Sequence, residues 1–237
     1  MIARPTLAAL ALGGSLMGCM TPVYGDGDRV AQPRTVTGFD TVSLTNNLDV
    51  DVVVDPLADF SAVIRCDQNL LPFILTDVAD QRLTISTRSG RWLIPARDCG
   101  VELTMPMALT FDVSGAGALF VEGAVDLEEA FVSSAGSLIA TDLDSAAVWA
   151  DLSGSGDLVL RGRTDALFAS VNSSGDLDAQ DLTAVSAELT LSGSGSLWAT
   201  ATERADVSLS GSGEVHLYGG AQDISQNLSG SGDVIVH

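Results

Sequence analysis

Lysine is absent from this 237-residue chain, and all eleven of its cations are Arg. Set against 31 Asp and Glu, they leave a formal charge of -20. A chain so short of cations has little with which to neutralise phosphates, which argues against nucleic acid as a partner. It argues equally against docking on an anionic membrane through a basic patch. An acidic surface of this kind keeps an exported protein soluble. Histidine is nearly missing too: His216 and His237 are the only two, and neither has Ser and Asp partners at a recognised catalytic spacing. No apolar run reaches the roughly 20 residues that a spanning helix needs. Disorder is excluded from the other side, because 46% of the residues are hydrophobic and can bury a core.

The one long apolar stretch lies at the start. Arg4 precedes Leu7 to Met17, which is too short to cross a bilayer and reads as an export signal over residues 1–18. Leu16-Met17-Gly18-Cys19 resembles the lipobox of bacterial lipoproteins. That resemblance implies cleavage before Cys19 and acylation there, giving a membrane partner through several acyl chains where one alone holds only marginally. An ordinary signal peptide with a chance Cys is the alternative. In Gram-negative lipoproteins an Asp after the Cys favours inner-membrane retention; Met20 stands there, which points to the outer membrane, on its periplasmic or surface face. Residues 19–34 are polar, with Pro and Gly, and read as a tether.

With Cys19 set aside, Cys66 and Cys99 remain as an even pair in an exported chain, and a disulfide is expected. Two buried thiols are the other reading. A zinc shell is not, since two Cys without nearby His cannot complete one.

From Leu109 the chain repeats. A phrase of apolar, Ser or Asn, small, small, Gly, any, apolar begins at Val113, Val132, Leu152, Val171, Leu191, Leu209 and Leu228, at spacings of 19, 20, 19, 20, 18 and 19. A Ser/Gly linker would hold no such period. On either side apolar residues alternate, as in Leu167, Ala169, Val171 and in Leu158, Leu160, which marks half-buried strands. Between them Ser-Gly-Ser-Gly makes a turn in which Gly tolerates backbone conformations that other residues avoid. A further apolar position (Leu143, Leu182, Ile224) suggests a short third side. The expected fold is all-β: a right-handed parallel β-helix with coils of about nineteen residues over 109–237, continuous with a β-rich head over 35–108. Strands are expected in the head over 36–44, 50–54, 62–65, 83–87 and 101–104, as first coils or as a cap over the sticky end of the stack.

Gly38-Phe39-Asp40, Asn69-Leu70-Leu71, Leu83-Thr84-Ile85, Val101-Glu102-Leu103-Thr104-Met105-Pro106 and the Ser-Gly-Ser-Gly ladder together resemble the bacterial auto-transporter adhesin family that carries the head GIN domain, over about residues 35–237. The resemblance implies an exported, often lipidated protein with a β-helical body and no established enzymatic activity. Ala116, Ala135 and Ser174 depart from the plainest form of its turn.

Two columns of the repeat could bind something. Ala118, Ser137, Asp157, Asp176, Ser196, Glu214 and Asp233 follow the second Gly, and Asp157 with Asp176 could offer oxygens to Ca²⁺. The ladder is broken three times, however, and capping of turn amides explains the acids as well; no cofactor is called for. The second column is Phe120, Ile139, Val159, Asp178, Trp198, His216 and Ile235. Strict alternation points it outward although five members are apolar, which marks an interaction stripe for a protein or glycan. Burial under the head, or a local change of parity, would remove it. The expected function is therefore a non-catalytic, lipid-anchored envelope protein that binds, adheres or scaffolds. A carbohydrate-active β-helix, hydrolase or lyase, is the alternative: Asp is plentiful, but Arg161, Arg163 and Arg204 are the only cations in the repeats.

Overall fold

The computed structural model describes residues 20–123 and 126–237, so Cys19 and the segment before it lie outside the described residues. Within the segment 19–34, expected as a tether, the described chain is mostly paired strand. From Thr21 it carries two strands, β1 (Thr21–Tyr24) and β2 (Arg29–Arg34). The first runs parallel to Arg91–Ile94, and the second pairs antiparallel with Arg29 facing Asp67 and Arg34 facing Ala62. Pairing partners far along the chain hold these strands in place, and Val23 and Val30 pack against the core.

The solenoid begins earlier than the repeat does. Strands β3 (Thr41–Leu44) and β4 (Asp49–Val54) form a complete rung, with Asn46 and Leu48 where later rungs carry their glycines. The chain then leaves the stack and returns through β5 (Ser61–Asp67), a short 3₁₀ turn at Leu71–Phe73, β6 (Ile74–Ala79), β7 (Arg82–Thr87), β8 (Arg91–Ile94) and β9 (Gly100–Met105). Strands β7 and β9 lie parallel to β3 and β4 and supply one more rung beneath them. On the far side β6 pairs antiparallel with β7, and β5 antiparallel with β9. The reversal of direction ends the parallel stack and covers that end of the core. The head is thus both first coil and cap.

Above it stand β10 (Thr110–Val113), β11 (Ala118–Gly123), β12 (Glu129–Val132), β13 (Ser137–Leu152), β14 (Asp157–Val171), β15 (Asp176–Leu191), β16 (Ser196–Leu209), β17 (Glu214–Tyr218), β18 (Asp223–Leu228) and β19 (Asp233–Val236). Every pairing among them is parallel, and in register apart from shifts at one corner. One axial file runs Val101, Val50, Leu119, Leu138, Leu158, Leu177, Leu197, Val215, and all of these are at most 1% exposed. A second, from the facing strand, runs Leu83, Val42, Phe111, Ala130, Ala150, Ala169, Leu189, Val207. Each fully buried Leu or Val in such a file contributes roughly 1.5–3 kcal/mol. The third side places Leu143 and Leu182 inward as expected, whereas Ile224 extends a different file, above Ala205.

Rungs differ in length, and the difference is absorbed at one corner. The register shifts fall between Ala140 and Leu143, between Val159 and Gly162, and between Ala179 and Ser186, always after the first strand of the rung. Positive φ is needed there, at Gly123 (113°), Asp142 (60°) and Gly162 (133°). The Ser-Gly-Ser-Gly turns are different. Their glycines do not have positive φ, and the turns themselves are laddered, Ser155 N–H donating to Ser134 O and Ser194 N–H to Ser173 O at 2.9 Å. A Cβ on Gly156 would stand 1.7 Å from the carbonyl oxygen of Gly136, and one on Gly193 equally close to that of Ser173. Close approach of stacked turns, and not conformational freedom, selects Gly here.

Candidate functional site

Two outward faces of the rod carry chemistry. The first is the stripe expected from alternation. Register pairs place Phe120 beside Ile139, then Val159, Asp178, Trp198, His216 and Ile235, in one unbroken column. Parity does not change along it, and the head does not cover it: Phe120 is 40% exposed and the middle members are half-buried. Asp51, from the rung below, continues it towards the head. Around Phe120 and Ile139 the face is concave, a groove of about 310 Å³ rimmed by Asp51, Val53, Glu122 and Thr141. At the other end the rings stack. Trp198 lies on His216 (centroids 5.6 Å apart, planes within 12°), His216 on His237, and His237 on Tyr218 (4.2 Å, 4°). Aromatic stacking along a sheet ladder stabilises both the rungs and the flat surface they present.

The second face was not singled out by sequence. On the strands that enter the turns, Glu129, Trp149, Phe168 and Glu188 stand in register, and Phe131, Asp151 and Ser170 form the next outward column. Trp149 and Phe168 stack with centroids 5.0 Å apart and planes within 8°, and Trp149 is 46% exposed. With Phe131 they floor a groove of about 270 Å³ bordered by Glu129, Asp151 and Glu188. Burial against this surface pushes the Asp151 carboxyl up from its usual range. The signal was available: Trp149 and Phe168 are 19 apart, one repeat, but they precede the motif that drew attention.

Cys66 and Cys99 are joined by a disulfide with Cα atoms 4.5 Å apart. It ties β5 to the lead-in of β9, and Asp67 next to it is buried, accepting the Ala96 N–H at 2.7 Å. In the acidic column one acid ties a strand start to the rung before it, and Asp49 does the same below Ala118. Asp176 accepts the Ser196 N–H at 2.8 Å, and Asp49 accepts the Ala118 N–H at 3.1 Å, each joining one rung to the next. Asp157 lies in register with Asp176, but no group of three His, Cys, Asp or Glu among the described residues is placed to hold a metal ion. The three repeat cations are likewise engaged within the rod, Arg163 with Asp144, Arg161 with Asp181 and Arg204 with Asp206. Hydrogen bonding to Arg163 holds the Asp144 carboxyl below its usual range.

This arrangement of head and rod has counterparts. The family described as "Putative auto-transporter adhesin, head GIN domain" matches residues 38–221, from the first turn of the head to the end of the penultimate rung. The chain belongs to this family. Solved structures share the head GIN fold over nearly all of it. A "putative adhesin" from Bacteroides fragilis superposes with a TM-score of 0.86 at 18% identity, covering 91% of this chain and all of that one. A "putative adhesin" and a "putative lipid binding protein", both from Parabacteroides distasonis, give 0.73 and 0.74 at 18% and 20% identity, each covering 92% of this chain and all of the other. At such identities the likeness is one of fold. Among curated proteins none matches. Within the head GIN fold, the rod is the conserved geometry on which this chain's own outward residues are displayed.

Proposed function

We propose that this head GIN protein is a non-catalytic, lipid-anchored protein of the cell envelope that presents its solenoid for binding, adhesion or scaffolding. The observation that carries the reading is the outward apolar column, half-exposed on a rigid ladder from Phe120 to Ile235. Cross-strand packing along the ladder accounts for part of this column, and a partner face accounts for its apolar side chains being left half-exposed in line. The adhesin description of the family, an extracellular or envelope setting, accords with it. So does the Cys66–Cys99 disulfide, a bond that persists in oxidising compartments. No helix among the described residues is long and apolar enough to cross a membrane. Attachment is assigned to acylated Cys19, with the outer membrane as its place.

Two substitutions test this in the full-length chain. Cys19→Ser should release the protein from the membrane fraction, and unchanged membrane association would remove the anchor. Trp198→Ala, made in the Cys19→Ser background so that no acyl chain holds the protein, strips the widest ring from the column while leaving the inward files intact and should reduce retention of the purified protein on isolated envelopes. Retention equal to that of the Cys19→Ser protein would count against the stripe as the binding face.

A further inference from the structure

The groove at Trp149 lies on a different face from the stripe and has a different chemistry. Its two rings stack rung on rung, so one face of each is taken up by the other, and each free face looks along the rod. The rung before Trp149 holds Glu129 in that register position, and the rung after Phe168 holds Glu188. A glutamate backbone position therefore lies one rung, about 4.8 Å, beyond that of each ring, with its carboxylate in reach of the free aromatic face. Asp151 borders the same groove. None of these three acids has an ion-pair partner among the described residues; the Arg pairs involve Glu102, Asp112, Asp144, Asp181 and Asp206.

An aromatic face with a carboxylate bordering it is complementary to one common group. A guanidinium is planar, lies flat on a ring, and offers its N–H fork to a carboxylate in its own plane; an ammonium does neither as well. The chain uses the ring half of this pairing internally, with Arg88 and Arg91 at 5.7 and 5.5 Å from the Phe73 centroid in the head. We propose that the Glu129–Trp149–Phe168–Glu188 groove is a docking site for arginine side chains of a basic segment on a partner protein. The guanidinium continues the ring stack and pairs with Glu188 or Glu129, while the net charge of -20 draws the segment in. The partly desolvated Asp151, whose carboxyl burial pushes up, gains a counter-charge on binding.

The test is calorimetric titration of the full chain with end-capped tetra-arginine and tetra-lysine peptides at physiological salt. Tetra-arginine should bind more tightly than tetra-lysine, and Trp149→Ala should weaken its binding by about tenfold. Trp149→Leu, which keeps apolar bulk and so guards against a folding effect, should weaken it similarly. Glu188→Gln should cost several-fold, whereas Glu203→Gln, the same charge change on an exposed residue elsewhere, should cost little. Equal affinity for the two peptides, binding unmoved by both Trp149 substitutions, or equal losses from Glu188→Gln and Glu203→Gln would show only diffuse attraction to an acidic rod and overturn the proposal. Binding of neutral oligosaccharides in the groove, lost in Trp149→Ala, together with no preference for arginine, would overturn it in favour of a sugar site.

Discussion

A methyl group has no room at Gly156. Its Cβ would fall inside the Gly136 carbonyl, which belongs to laddered backbone and cannot swing aside as a side-chain tip could. Overpacking of this kind typically costs about 1–3 kcal/mol, and the clash here lies at the severe end. Gly156→Ala should therefore lower the urea midpoint by at least that equivalent, while exposed Ser155→Ala should stay within about 0.5 kcal/mol. At Asp151 the consequence depends on pH. Burial raises this carboxyl's pKa in the folded state above an unfolded value of about 3.9, so the folded chain binds the proton more readily. Its charge thus costs stability at neutral pH, and the cost fades as pH falls through the folded pKa, vanishing below the unfolded one. Asp151→Asn should raise the melting temperature at pH 7 and leave it unchanged at pH 3; an equal gain at both would assign the effect to something other than ionisation.

Among the elements, legibility followed the range of the interaction. Leu152, Val171, Leu191 and Leu209 share an inward file because one phrase recurs every nineteen or so residues, and a period of that length leaves few other folds. The outward column from Phe120 to Ile235 was readable by the same arithmetic. What escaped was set by partners distant in sequence. Short, Pro-containing β1 and β2 carry no clear strand signature of their own; β2 is fixed by β5, and β1 by β8. The antiparallel cap could not be read from the strand pattern over 62–65, since direction of pairing leaves no mark on alternation. The turn glycines are legible as glycines, but close stacking and not a positive φ requires them, and that depends on the rung above or below. In the head, the disulfide closes a separation of 33 residues between strands that meet edge to edge. Closing a loop of that size is worth about 3.7 kcal/mol on the chain-entropy model. Replacing both Cys66 and Cys99 by Ser should reduce unfolding free energy by an amount of this order, with loss of protection concentrated in β5 and β9; an unchanged melting curve would show that the cap holds without it.

For the whole molecule, register is the property from which the rest derives. It makes seven short phrases into one core, carries the stripe along one face, and sets Trp149 on Phe168 on another. Exposed Arg–Asp pairs decorate the surface and contribute little to its stability. A rod whose rungs are fixed also fixes the spacing of whatever it displays, which suits a surface meant to be met by a partner. The measurement that reaches this property most directly is pulsed electron paramagnetic resonance between spin labels on the outward column, in a background with Cys66 and Cys99 intact. With one label at Phe120 and the second at Asp178, His216 or Ile235, three, five and six rungs away, stacking at about 4.8 Å per rung predicts distances near 14, 24 and 29 Å, rising in proportion to rung number. Distances that fail to rise with rung number, or that bring Ile235 back towards Phe120, would contradict the in-register solenoid and with it both binding faces.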